Sequence, residues 1–256
     1  MAGTSLEQII IACQEASLAN LEDPASSMQV TGITHDSREV NQGDLFACVT
    51  GVHYDGHQYA DEAVRRGACA LLVERKLEHA VPQIVVPSVR ETLGPTSAII
   101  YGEPSKTLKV VGVTGTAGKS TTVHALAQTL EACGTGAGVL GTLSGSYTTP
   151  EAPDLQRSLA RMHADDKEWA CLEVSSHALD FGRVKGVNFA ATVFSNLSPE
   201  HVDFHKDMEA YFQAKRQLFD FECPVAVVSV SDTWGKRLAS ELQEIGHEGL
   251  VVVDPK

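Results

Sequence analysis

Gly112-Val-Thr-Gly-Thr-Ala-Gly-Lys-Ser-Thr-Thr122 joins a β-branched run, Leu108 to Thr114, to a stretch with helical period. In that stretch Val123, Leu126, Ala127 and Leu130 recur at i, i+3, i+4 and i+7, which defines one buried helix face. Strand, glycine turn and helix in this order make a phosphate loop. The strict GxxxxGK[ST] spacing is broken, because Val113 takes the first glycine's place. The mechanics survive: Gly115 and Gly118 permit a tight turn that directs N–H groups at phosphate oxygens. Lys119 has the reach to meet β- and γ-phosphates, and the Ser120 hydroxyl can ligate Mg²⁺. The helix behind them aims its positive end at the same anion. A purely structural glycine turn has no use for Lys-Ser at these positions.

Working outward, strands are expected at Ala170 to Val174, Phe189 to Phe194, Val225 to Val230 and Leu250 to Val253. Helices are expected between them at Pro153 to Ala164, Met208 to Phe219 and Thr233 to Ile245. This alternation predicts a mostly parallel sheet covered on both faces. The first hundred residues repeat the theme. Leu45 to Val49, Ala70 to Val73 and Gln83 to Val86 read as strands; Gly56 to Gly67 and Val89 to Tyr101 read as helices. The polar, proline-bearing segment Tyr101 to Thr107 reads as the link, so the expected domains are 1–104 and 105–256. The fold class is α/β: a Rossmann-like domain, then a P-loop ATPase-like domain with a mostly parallel sheet.

Composition bounds the function. The 256 residues are 43% apolar and 21% charged, the balance of a soluble globular protein, with a formal net charge of −13. Such a charge argues against a nucleic-acid surface, yet leaves room for a phosphate site built locally from N–H groups and one or two cations. The six cysteines stand at 13, 48, 69, 133, 171 and 223, with neither CxxC nor zinc-ligand spacing, and mostly in apolar runs that suit buried free thiols. The start MAGTSLEQII has no basic n-region or long apolar h-region, and no apolar run reaches transmembrane length. A cytoplasmic protein with no membrane partner is expected.

Glu173 falls near the end of the strand Trp169-Ala-Cys-Leu-Glu-Val174. Ligands of parallel sheets gather at the carboxyl ends of strands, so this carboxylate is placed to hold Mg²⁺; a paired structural acid is the bland alternative. Ser175-Ser-His177 beside it is no hydrolase elbow, since G-x-S-x-G is absent. His201 and His205, with Asp203 between them, follow the strand Phe189 to Phe194, where either metal or phosphate contact or plain packing would suit them. Lys215 interrupts the apolar stripe Met208, Tyr211, Phe212, Leu218, Phe219. It either snorkels to solvent or sits partly buried with a lowered pKa, where a neutral amine could take up CO₂ as a metal-ligating carbamate.

Read together, these segments resemble the Mur ligase family, and within it the UDP-N-acetylmuramoyl-tripeptide synthetases. The motifs that carry the resemblance are Asp36-Ser-Arg38, Gly43-Asp-Leu-Phe46, Gly51 with Asp55-Gly56, and the loop TGTAGKSTT. Thr148-Thr-Pro150 with Asp154-Leu-Gln156, Glu173-Val-Ser-Ser-His177 with Arg183, Asn196-Leu197 through His201 and His205, and Tyr211 to Arg216 complete it. They span nearly the whole chain.

The resemblance implies an ATP-dependent amide ligase that adds the third residue, meso-diaminopimelate or L-lysine, to UDP-N-acetylmuramoyl-L-alanyl-D-glutamate through an acyl phosphate. It places the UDP end at Ser37 and the stretch Val52, His53, Tyr54, and the muramyl-peptide at Thr148, Thr149, Ser175 and Arg183. ATP falls to Gly115, Thr116, Ala117, Gly118, Lys119, Ser120 and Thr121. Mg²⁺ falls to Ser120, Glu173, His201 and a carbamylated Lys215; Lys119, Glu173, His201 and Lys215 are the implied catalytic set. Local departures are Ala117 where the family has Asn, Phe181 where a polar contact is usual, and Ser229 to Thr233 where an Asn-x-Asp-Asp-type element is expected. The family's third domain, which carries the acceptor amino-acid site, has no counterpart before Lys256. A module that binds UDP-muramyl-peptide and ATP without joining anything is therefore the alternative. A generic phosphotransferase would not need the DSR and TTP elements.

Overall fold

The computed structural model describes residues 3–13, 17–19, 28–51, 54–143, 147–199 and 205–255. Contacts divide the chain into two units, Met1–Glu103 with Ala152–Ala160, and Pro104–Glu151 with Arg161–Lys256.

The first unit contains β1 (Thr4–Ser5), α1 (Leu6–Ala12), β2 (Ser17–Ala19), β3 (Gln29–Val30) and β4 (Gly32–Thr34). It continues with β5 (Asp44–Ala47), α2 (Ala60–Arg66), β6 (Ala70–Val73), β7 (Gln83–Val85) and α3 (Val89–Ile100). Its main sheet runs β2-β7-β6-β5-β4, parallel except where β2 meets β7. All residues of β5 and β6 are buried, the expected state of strands covered on both faces. The expected helix over Gly56 to Gly67 is in fact a 3₁₀ turn, Gly56–Tyr59, followed by α2. Asp55 caps the turn by accepting from the His57 N–H, and Gly67 ends α2 in the left-handed conformation at φ +114°.

The second unit carries β8 (Lys109–Thr114), α4 (Lys119–Ala132), β9 (Ala137–Leu140) and the chain through α5 (Ala152–Ala164), whose first nine residues group with the first unit. Then come β10 (Trp169–Glu173), α6 (Ser176–Asp180), β11 (Phe189–Phe194), α7 (Met208–Arg216), β12 (Ala226–Ser229), α8 (Thr233–Glu244) and β13 (Leu250–Val253). All six strands are parallel, in the order β13-β12-β11-β8-β10-β9. Val111, Val113, Val123, Ala127, Ala137 and Cys171 form one core under α4, with Leu126 and Leu130 packed on it. Gly112 leaves room for Phe189: a Cβ there would come within 2.7 Å of that ring. Asp207 and Asp232 cap α7 and α8 through their first-turn N–H groups.

Among the described residues no helix is long and apolar enough to cross a membrane. The cysteines are free thiols; Cys13, Cys48 and Cys171 are buried, and Cys133 is exposed. Burial pushes the Cys48 thiol up to about 12 and Cys171 to about 11, so neither is a nucleophile at neutral pH.

Candidate functional site

Three neighbouring strands, β11, β8 and β10, deliver the predicted chemistry at their carboxyl ends. From β8 the chain turns at Gly115, whose φ of +149° and closeness to Ser195 Oγ leave no space for a side chain. Gly118, at φ +85°, opens α4 with no side-chain cap. A glycine cap offers the first-turn N–H groups of this helix no side-chain acceptor of its own, which is the arrangement an anion fills. Lys119 curls over the turn, donating to the carbonyls of Gly115 at 2.9 Å and Thr116 at 3.0 Å.

The loop after β11 staples this turn in place. Asn196 accepts from Ala117 N–H through Oδ1 and donates to the Ala117 carbonyl through Nδ2, both at 3.0 Å. Ser195 Oγ donates to the same carbonyl at 2.8 Å, and Ser198 N–H to Thr116 Oγ1 at 3.0 Å. Ala117 thus enters the clamp through its backbone alone, so its side chain need not be polar.

From β10, Glu173 lies level with Val113 of β8 and is 1% exposed. Its Oε2 accepts from Ser120 Oγ at 3.0 Å, and its Oε1 from the Thr142 N–H at 3.0 Å. Among the described residues its partners are hydroxyl and amide donors, with no paired cation. Ser120 Oγ and Glu173 Oε2 are hard oxygen donors, and a hydroxyl beside a carboxylate is the donor chemistry that Mg²⁺ takes. No group of three or more His, Cys, Asp or Glu suited to a metal exists among the described residues.

Beside Glu173 lies a shelf of polar side chains. Thr149 Oγ1 donates to the Glu173 carbonyl at 2.9 Å and accepts from Ser175 N–H at 3.0 Å. Arg183 Nη1 donates to the Thr149 carbonyl at 3.0 Å, and Nη2 pairs with Glu151 at 2.7 Å. Its guanidinium lies 5.2 Å from the Tyr147 ring and 5.8 Å from that of Phe181, with Nε buried and without a hydrogen-bond partner among the described residues. Phe181 is therefore a wall of the Arg183 setting. Thr142 Oγ1 is 3.1 Å from Thr148 Oγ1, which places Thr148 on the same shelf.

Lys215 is 1% exposed, so it does not snorkel. Its amine donates to the Gly115 carbonyl at 2.9 Å and lies 4.5 Å from the Tyr211 ring centre. His205 is buried, stacks on Tyr211 at 4.7 Å and bonds Ser176 Oγ at 2.8 Å, which is a packing role. His201, Val52 and His53 lie outside the described residues.

In the first unit, a cleft of about 510 Å³ is lined by Asp36, Ser37, Arg38, Tyr54, Tyr59 and Glu62. Ser37 Oγ donates to Glu62 at 2.9 Å. The Arg38 guanidinium, bonded to both Asp36 oxygens, holds that carboxyl down to about 2.

Two family models match this chain, the Mur ligase middle domain over residues 113–254 and the Mur ligase family catalytic domain over residues 29–101. The chain belongs to the Mur ligase family. Among curated Mur ligases, the UDP-N-acetylmuramoyl-L-alanyl-D-glutamate–2,6-diaminopimelate ligase of Aquifex aeolicus is 40% identical over 220 residues, 82% of this chain and 46% of that protein. The same enzyme of Streptomyces coelicolor is 42% identical over 233 residues, 85% of this chain and 46% of its own length. A solved structure of a ligase with that name aligns at TM-score 0.81 and 28% identity, over 98% of this chain and 52% of the other. A MurF structure from Acinetobacter baumannii shares the fold at TM-score 0.76 and 22% identity. This Mur ligase chain spans about half the length of the curated relatives it matches.

Thr142 and Asn196 are the residues of the Mur ligase site that motif reading leaves without a role. Asn196 stands inside a quoted motif, whereas Thr142 carries only the weak signal of a Gly-Thr after a short apolar run.

Proposed function

We propose that this chain binds ATP and UDP-N-acetylmuramoyl-L-alanyl-D-glutamate and activates the D-glutamyl carboxylate for amide formation with 2,6-diaminopimelate, the amino acid in its relatives' names. The observation that carries the reading is the 3.0 Å pair of Ser120 Oγ and Glu173 Oε2 at the uncapped start of α4, with the Thr149–Ser175–Arg183 shelf beside it.

In the proposed chemistry the γ-carboxylate oxygen of D-glutamate attacks the γ-phosphorus of ATP, and ADP leaves. The amine then attacks the acyl carbon, inorganic phosphate leaves, and the nitrogen loses a proton. Lys119, freed from the Gly115 and Thr116 carbonyls, would offset charge on the transferring phosphoryl group, and α4 would hold the phosphates. Mg²⁺, held by Ser120 and Glu173, would neutralise charge between the phosphates. His201 and a carbamate on Lys215 are the further ligands we propose. Arg183 would take the muramyl-peptide through its guanidinium, and Thr148, Thr149 and Ser175 would supply hydroxyls. The cleft at Ser37, with Val52, His53 and Tyr54, would take the uridine end.

A second reading is a span that holds both substrates and joins nothing. It predicts binding without phosphate release on adding the amino acid. Calorimetric titration with UDP-N-acetylmuramoyl-L-alanyl-D-glutamate tests the binding that both readings share, and phosphate release on adding ATP, Mg²⁺ and 2,6-diaminopimelate separates them. Specific binding, weakened about tenfold or more by Arg183→Ala, is expected, since a lost charged hydrogen bond costs about 1.5–3 kcal/mol. A folded sample that binds neither this compound nor ATP with Mg²⁺ would sink the proposal.

A further inference from the structure

Thr142 links the two halves of the site. Leu140 of β9 is level with Leu172 of β10, so the chain leaving β9 passes beside Glu173. A Cβ at Gly141 would fall on the Glu173 carboxylate, which shows how closely the backbone passes. Thr142 then gives its N–H to Oε1 at 3.0 Å, and its Oγ1 stands 3.4 Å from Oε2 and 3.1 Å from Thr148 Oγ1. Thr142 is exposed, so its hydroxyl is open to whatever binds there.

A hydroxyl has one proton, and a carboxylate only accepts. Thr142 therefore chooses between two acceptors. When it donates to Glu173, its oxygen accepts from Thr148, whose own proton is then used. A divalent cation held at Oε2 would draw on the lone pairs that Thr142 needs there and weaken the first option. Thr142 turns its proton to Thr148, and the Thr148 proton becomes free to meet a carboxylate or carbonyl on the peptide side. The cation and the peptide thus act on opposite ends of one hydrogen-bond chain.

We propose that Thr142 is a positioning residue that relays occupancy of the Ser120–Glu173 metal position to Thr148, so that Mg²⁺-nucleotide tightens binding of the muramyl-peptide. This rests on the function proposed above. The test is calorimetric: the Kd for UDP-N-acetylmuramoyl-L-alanyl-D-glutamate, with and without Mg²⁺ and β,γ-methylene-ATP, on the 256-residue chain and two variants. In the unsubstituted chain the Mg²⁺-nucleotide is expected to tighten the Kd about fivefold or more, the usual scale of coupling between sites. In Thr142→Val, which keeps the shape and the N–H but loses the hydroxyl, the ratio should fall to about one, and Thr142→Ser should restore it. A purely structural role would change both Kd values alike and leave their ratio standing. The relay is overturned if Thr142→Val keeps the ratio, if Thr142→Ser loses it, or if the unsubstituted chain binds both ligands without coupling. Failure of that chain to bind the muramyl-peptide at all overturns the functional reading and the relay together.

Discussion

Lys119 and Lys215 donate to the same oxygen, the carbonyl of Gly115, each at 2.9 Å. One lysine opens α4 and the other closes α7, yet both amines lie within about 6 Å of each other on one acceptor. Two amines on one carbonyl compete for it, and Lys215 does so out of reach of solvent. An arriving phosphate would draw Lys119 away from the shared oxygen. Conversion of the Lys215 amine to a carbamate would add an anionic oxygen ligand beside it.

Carbamylation of Lys215 predicts a carbamate carbon signal when the chain is equilibrated with ¹³C-bicarbonate, absent from Lys215→Ala. If the two spectra match, Lys215 works as an amine and the carbamate assignment falls.

Glu173→Gln keeps an acceptor for the Thr142 N–H but removes the negative charge. The gain in nucleotide affinity on adding Mg²⁺ should shrink about tenfold or more, because a hard divalent ion depends on anionic oxygen. Fluorescent-nucleotide titration across Mg²⁺ concentrations measures it, and an unchanged gain would remove Glu173 from the metal position.

Asn196→Ala deletes both side-chain bonds to Ala117, together about 2 kcal/mol. Nucleotide affinity should fall about tenfold or more if the clamp shapes the phosphate loop. Asn196→Asp would still accept from the N–H but would face the Ala117 carbonyl with no proton, so it should fail to restore binding. Full affinity in Asn196→Ala would show that the turn holds its shape without the clamp.

Arg237 on α8 bonds both oxygens of Glu209 on α7, the helix that carries Lys215. That guanidinium, aided by Gln213, holds the Glu209 carboxyl down to about 2. A depressed carboxyl stabilises the fold above its unfolded value near 4.5, and the contribution is lost as pH falls toward 2. Denaturation midpoints recorded from pH 5 to 2 should fall less steeply in Glu209→Gln. Because the pair is exposed, the difference should also shrink in high salt. Equal slopes would mean that the pair adds nothing to stability.

The strands of the second sheet are legible in the sequence because most are short apolar runs. The expected Phe189 to Phe194 is β11 residue for residue, and Ala170 to Val174 is β10 shifted by one. By contrast β9, Ala-Gly-Val-Leu, is not among the expected strands: Gly134, Gly136 and Gly138 interrupt its apolar run, and pairing with β10 makes it a strand. Lys119, Ser120 and Glu173 are legible because a motif or a strand end states their chemistry locally. Lys215 is legible only as an anomaly, since packing around the helix decides between solvent and burial. Thr142 and Asn196 act through strand neighbours distant in sequence, and register of that kind leaves no local pattern.

The placement of β8 has a consequence in time. It is bonded on both sides, to β10 and to β11, at the centre of the six-stranded sheet. Its amide hydrogens should be among the slowest in the chain to exchange with deuterated water, because releasing them requires the sheet itself to open. The glycine turn after β8 is thus mounted on the strand expected to open least often. The short connections beyond the strand ends can then move on timescales far shorter than the opening of their support.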